Sequence, residues 1–243
     1  MIKIKMKILL GIQPTGRLHI WNYFWAIKKG LEMQKEWHDV WFLIADYHAW
    51  CEAWECVEFD YALEKLGCKN TYMQPHKTLE LFYKLAHSEK VAELERLPQY
   101  QTKERTLHML SYPLLMACDI ILSDCDGVIV WDDQEPHMHY YREVARRHGY
   151  KEAITIKSNN PRIMSIKDPT KKMSKSLGDD HCIYIDESEE EIFMKLKKSP
   201  TTQEGIIQFK NLADIVGVVY DESDNLLSKE ILAAAIFRTI NIR

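Results

Sequence analysis

Residues 7–27, KILLGIQPTGRLHIWNYFWAI, change structural period partway along. KILL (7–10) is a short apolar run of strand character, and Gly11 with QPTG makes a turn. From about Asn22 to Gln34 the pattern is helical. A strand that turns directly into a helix is the opening unit of a parallel α/β sheet. Such a junction can hold a phosphate where small residues let the ligand reach the backbone. Here, however, Trp21 and Trp25 stand one turn apart at the start of the helix. Two of the largest side chains occupy a place where a nucleotide-binding turn favours glycine.

Further along, DVWFLIAD (39–46) is a continuous apolar run, as in a parallel strand buried on both faces. FDYALEKLG (59–67) reads as a helix closed by glycine, NTYM (70–73) as a short strand and HKTLELFYKLAH (76–87) as a helix. Residues 103–122 carry a long apolar pattern in which Pro113 marks a kink or a helix start. GVIVW (127–131) reads as another buried strand, and Gln134 to His148 as a helix stopped by Gly149. This alternation predicts a parallel α/β sheet with helices on both faces. After about residue 187 the pattern turns helical, in EEEIFMKLKK, FKNLADIVGVV and SKEILAAAIFRTI. A boundary is therefore placed at 186, between a domain over 1–186 and a short helical region over 187–243.

The totals narrow the function classes. A chain of 243 residues with 46% hydrophobic and 28% charged residues has the make-up of a soluble globular protein. With a net charge of −4, a nucleic-acid partner needs a local basic patch. Cys51, Cys56, Cys68, Cys118, Cys125 and Cys182 form no C-x-x-C pair, so free thiols in a reducing cytosol are expected. His137 and His139 lie on successive sides of a helix without a nearby third ligand, and no metal site is predicted. The apolar run in MIKIKMKILLG is too short for a signal peptide, and no segment approaches the ~18 apolar residues of a membrane span. The expected location is cytoplasmic. Glycine is scarce, nine in 243 or about 3.7% against the usual ~7%, while tryptophan, at seven, is abundant.

The clearest chemical signal is KKMSKS (171–176), inside PRIMSIKDPTKKMSKSLGDD. Two lysines flanking a serine on a loop-forming segment can neutralise charge that builds on a leaving pyrophosphate. The pentad resembles the second signature of class I aminoacyl-tRNA synthetases. His19-Ile20-Trp21-Asn22 stands where their early H-x-G-H-type signature belongs. GIQPTGRLHI, FLIADYHA, YPLLMACDIIL, the DDQEPH segment with REVARR, and RIMSIKDPTKKMSKS resemble successive parts of tryptophanyl-tRNA synthetases over residues 7–198.

The resemblance implies a Rossmann-type catalytic domain with a shortened α-helical, anticodon-binding-like C-terminal part. It implies activation of tryptophan by ATP, with Mg2+, followed by transfer to tRNA(Trp), and it implies a homodimer. Lys172, Lys175, His19 and Asn22 would be catalytic. Gln13, Thr15, His19, Asn22 and Asp133 would surround ATP, and Lys172, Met173, Ser174, Lys175 and Ser176 would hold its phosphates. Tyr112, Met116, Asp119, Gln134 and His48 would form the amino-acid site. Asp119 would accept the indole N–H; read without the motif, it is a buried acid capping backbone. His48 is read equally as a satisfied strand-end histidine. Two other functions are carried with this one: tyrosine–tRNA ligase, and an inactive synthetase-like protein that binds tRNA or a partner.

Three positions depart from that family. Trp21, Trp25 and Trp131 stand where it has glycine, beside adenine in the first case and against the amino-acid site in the last. Three accounts compete. The tryptophans pack outward and the backbone shifts; or the chain has lost ATP binding; or the gene uses UGA for glycine and has been written with UGA as tryptophan. The last account also explains the scarcity of glycine, and it extends to Trp37, Trp50 and Trp54. The chain also ends at FRTINIR, where the family's helical domain usually continues, so a weaker tRNA contact or a fragment is expected.

Overall fold

The computed structural model describes residues 4–52, 60–102, 104–158 and 162–241; Trp54, Cys56 and Pro161 lie outside them. Contacts group the chain into two compact units, residues 1–15 with 29–158 and residues 16–28 with 159–243. This partition differs from the boundary at 186, because the KMSKS segment associates with the helical tail and with residues 16–28.

Among the described residues the first unit holds five parallel strands, β1 (Lys7–Ile12), β2 (Asp39–Ile44), β3 (Asn70–Met73), β4 (Gly127–Ile129) and β5 (Ile154–Ile156), in the order β3-β2-β1-β4-β5. Strand order therefore reverses between β1 and β4, where ligands of open α/β sheets bind beyond the carboxyl ends. β4 is shorter than the GVIVW run, and Trp131 already caps a short 3-10 turn, Asp132–Gln134. β5 was not predicted: it has three residues, none fully buried, too few to show a period.

Among the described residues the longer helices are α1 (Lys28–Lys35), α2 (Asp46–Glu52), α3 (Asp60–Lys65), α4 (Lys77–Ala86), α5 (Leu107–Ser123) and α6 (Glu135–His148), followed in the second unit by α7 (Glu189–Lys198), α8 (Gln203–Val216) and α9 (Asn225–Asn241); Ile20–Asn22, Val91–Glu95 and Pro98–Thr102 form single helical turns. On one sheet face Leu9, Leu43 and Val128 pack with Ala117 and Ile120 of α5 and with Met138, Tyr141 and Ala145 of α6. On the other face α1 comes close through Gly30, where a Cβ would stand 3.0 Å from Phe42 Cε1 and 3.5 Å from Leu10 Cδ2. Pro113 lies inside α5 and not at its start, which belongs to Thr106, whose hydroxyl accepts from Met109 N–H at 3.2 Å.

α1 ends in a sharp turn that feeds β2. Trp37 N–H donates to Gln34 O at 3.3 Å, His38 N–H donates to Met33 O at 3.1 Å, and Trp37 takes φ 74°. Asp124 is the other non-glycine residue with positive φ among those described.

In the second unit, residues 18–20 pair with 183–185 through Ile20 N–H to Ile183 O (2.9 Å) and Ile185 N–H to Leu18 O (3.0 Å). α7 opens with Ser188 and Glu191 reciprocally bonded, side chain to backbone N–H, at 3.2 and 2.8 Å. Gly205 is required in the first turn of α8, since a Cβ there would meet Pro200 O at 2.2 Å. Cys68, Cys118 and Cys125 in the first unit and Cys182 in the second are free and buried. Among the described residues no helix is long and apolar enough to cross a membrane.

Candidate functional site

The carboxyl ends of the strands in the first unit carry a buried polar cluster. Asp119, on α5, is 6% exposed. Its carboxylate accepts from Gln74 Nε2 at 2.9 and 2.8 Å and from Thr78 Oγ1 at 3.2 Å, and it lies 3.0 Å from His48 Nε2. It is therefore held by side chains and does not cap backbone. Gln74 follows β3, and its Oε1 accepts Tyr47 N–H at 2.7 Å, which leaves the amide NH2 to face Asp119. His48 sits on α2, not at a strand end. Its Nδ1 has no hydrogen-bond partner among the described residues, and because a carboxylate can only accept, the bond to Asp119 is made by Nε2–H. Tyr112 joins the cluster edge-on to His48, ring centroids 4.4 Å apart, and its hydroxyl accepts Gln13 Nε2 at 3.0 Å.

His137 lies 5.4 Å from Tyr112, ring to ring, and its Nδ1 is 2.9 Å from Gln134 Oε1. Gln13, Tyr112, His48, Asp119 and Gln134 are thus one connected set. Met116 packs half-buried on the core beside it. Thr15 N–H closes a turn onto Gln13 O at 2.9 Å, and Asp133 is exposed in the turn after β4. Gln74, Thr78 and His137 were not anticipated. For Gln74 the available signal was a polar residue directly after a parallel strand, where α/β sheets place ligand groups.

The second unit carries the two signatures. His19 is 4% exposed, and its backbone N–H donates to Asn22 Oδ1 at 3.2 Å. Burial, helped by the positive charge of Lys175, lowers the His19 pKa from 6.5 to about 3. A neutral imidazole can give or take a hydrogen bond but brings no charge to a phosphate. Positive charge on this segment comes from the lysines. Lys172 is exposed on a strand-like segment that pairs with Met164. Met173 is buried and anchors this segment through its N–H to Ile163 O at 3.2 Å. Lys175 opens a short 3-10 turn, Lys175–Leu177. Gly16, at φ +81°, leaves room for it: a Cβ there would stand 3.9 Å from Lys175 Nζ. Ser174 and Ser176 hydroxyls are 2.9 Å apart. The residues fit a polyphosphate: two lysines, two hydroxyls and a buried His19 Nδ1 that has no hydrogen-bond partner among the described residues.

Trp21 and Trp25 do not point to solvent. Each is 6% exposed, and their rings stack with centroids 6.0 Å apart and planes at 27°. The helix begins at Ile20, earlier than expected, and opens into a π-turn over Tyr23–Ile27 that contains Trp25. The outward-packing account fails for this pair. Trp131 is half-buried just beyond β4, in the first unit.

A family model described as tRNA synthetases class I (W and Y) matches residues 3–55 and 63–235. The tryptophan–tRNA ligase of Wolinella succinogenes is 31% identical over 233 residues, 85% of this chain and 71% of that protein. That of Bacillus anthracis is 34% identical over 229 residues, 83% of this chain and 69% of its own. The fold is shared with the tryptophanyl-tRNA synthetase of Mycoplasma pneumoniae (TM-score 0.78, 22% identity, 98% of this chain and 86% of that one). It is shared too with the Campylobacter jejuni enzyme, solved with ADP and tryptophan (TM-score 0.73, 22% identity, 97% and 87%). Likeness over nearly the whole length, together with the reversed strand order and both signature segments, makes this chain a member of the class I tRNA synthetases for tryptophan and tyrosine, within their tryptophan–tRNA ligase group.

Proposed function

We propose that the protein joins tryptophan to tRNA(Trp) in the cytoplasm, as a homodimer, and that its natural form carries glycine at positions 21, 25 and 131. The observation that supports the specificity best is the buried Asp119 carboxylate, held by Gln74, Thr78 and His48 beside Tyr112. A fixed acceptor in an enclosed site suits the indole's single N–H and disfavours side chains that lack a donor.

A tryptophan carboxylate oxygen bonds to the α-phosphorus of ATP, the bond to the bridging oxygen breaks, and pyrophosphate leaves. A terminal ribose hydroxyl of tRNA then takes the acyl group and AMP leaves. The attacking carboxylate is already ionised, so activation requires no strong base; positioning and charge stabilisation supply the rate. Lys172 and Lys175 neutralise charge on the departing pyrophosphate, with the Ser174 and Ser176 hydroxyls and the backbone around Met173 beside it. Mg2+ arriving with ATP would add to that neutralisation. Neutral His19, with Asn22, Gln13 and Thr15, hydrogen-bonds ATP, Asp133 reaches the ribose, and Gln134 reaches the polar end of the amino acid. Met116 and Tyr112 line the indole.

The stacked, buried Trp21–Trp25 pair favours a second reading for the chain as written, that of a synthetase-like protein with weak ATP binding. ATP–pyrophosphate exchange tests both. With glycine at 21, 25 and 131, exchange should depend on tryptophan and not on tyrosine. Exchange driven by tyrosine would replace the tryptophan assignment, and none with either amino acid would leave the binding protein.

A further inference from the structure

Among the described residues, four helices end in the same hydrogen-bonded turn. After α3, Gly67 N–H donates to Glu64 O at 2.9 Å and Cys68 N–H to Leu63 O at 3.0 Å. After α6, Gly149 N–H donates to Arg146 O at 3.4 Å and Tyr150 N–H to Ala145 O at 2.8 Å. After α8, Gly217 N–H donates to Asp214 O at 3.4 Å and Val218 N–H to Ala213 O at 2.9 Å. After α1 the same two bonds are made by Trp37, to Gln34 O at 3.3 Å, and by His38, to Met33 O at 3.1 Å.

The pivot is left-handed each time, with φ 90°, 71° and 76° at the glycines and 74° at Trp37. This cap selects glycine because a Cβ in the left-handed region crowds the neighbouring carbonyl oxygen; a bulky aromatic is a poor occupant. Trp37 gains little burial in exchange, being 84% exposed. The turn is also fixed from beyond. Asp39, two residues on, is paired in register with Lys7 of β1, and Met6 N–H donates to His38 Nδ1 at 3.2 Å.

We propose that the natural residue at position 37 is glycine, and that tryptophan there stands for a codon the source organism reads as glycine. The inference rests on backbone geometry at a helix end and is independent of the ligase reading. Decay of an ATP site gives no reason for tryptophan at this left-handed cap. A misread codon does, and it treats positions 21, 25, 37 and 131 alike.

Two measurements test it. Trp37→Gly should raise the thermal midpoint by about 2–4 °C for a chain of this size. Trp37→Asn should give a smaller rise, because asparagine is the next most tolerant left-handed residue. Gly149→Trp, the reverse change at an equivalent cap, should lower the midpoint by a similar amount. Separately, the protein isolated from the organism that carries the gene should yield a peptide whose fragment masses read glycine at position 37. Tryptophan in that peptide overturns the proposal, as does a midpoint that rises in neither Trp37→Gly nor Trp37→Asn.

Discussion

A carboxylate offers about four lone-pair sites, and Asp119 already receives Gln74, Thr78 and His48. Each oxygen takes two of these contacts, so an indole N–H must replace one of them, and the longest, the 3.2 Å bond from Thr78, is the readiest to give way. Asp119→Asn should therefore weaken the preference for tryptophan over phenylalanine by ~1.5–3 kcal/mol, the loss of one charge-assisted bond. The comparison belongs in the glycine-restored background, and an unchanged ratio of kcat/KM values would refute the role. His19 gives a second residue-scale prediction. Its pKa falls from 6.5 to about 3 in the fold, so between those values the unfolded chain holds a proton that the folded chain refuses. Stability from this group is complete above pH 6.5 and declines as the pH drops toward 3, by up to ~1.4 kcal/mol per unit. Urea midpoints at pH 7, 5.5 and 4.5 should fall less steeply for His19→Gln; parallel slopes would show that burial does not hold the ring neutral. That Asp119, Tyr112 and His48 gather in one place was legible from the motifs they lie in. Gln74 was not, since its importance comes from Tyr47 N–H turning its amide, a contact between separate segments that no local pattern encodes.

Among the elements, long apolar runs read well and short ones badly. DVWFLIAD and the α6 pattern were evident because burial on both faces and a glycine stop leave strong signals, whereas three-residue β5 left none. The helix was expected from about Asn22, and neither its start at Ile20 nor the π-turn over Tyr23–Ile27 was foreseen. The loop that carries Lys172 and Lys175 was legible as a motif. Its pairing with residues 163–165, through Met173 N–H to Ile163 O and Ser165 N–H to Lys171 O, was not. That pairing fixes one end of the loop and leaves Lys172 exposed. Lys172→Ala and Lys175→Ala should each slow adenylate formation by about 10²-fold or more while changing ATP affinity far less, since their charge matters most as pyrophosphate departs. Single-turnover rates set against ATP titrations would decide this; equal losses in both would mark them as ordinary binding residues.

At the scale of the whole molecule, activation requires ATP and tryptophan to be bound together, so an obstacle to either abolishes exchange. Trp21→Gly alone should recover ATP binding only in part, because the Trp25 ring stacks 6.0 Å from it. Glycine at 21, 25 and 131 together should restore pyrophosphate exchange far beyond the sum of the single changes; if the written chain already exchanges as fast, the tryptophans obstruct nothing. The buried cysteines carry a different consequence. Burial pushes the thiol of Cys68 up to about 12 and that of Cys182 up to about 11, and raises Cys118 and Cys125 as well, so almost no thiolate exists at neutral pH while the fold is closed. Alkylation must then wait for the chain to open. Because Cys182 belongs to one unit and the other three to its neighbour, the order in which they are alkylated is a clock that times the breathing of each unit separately.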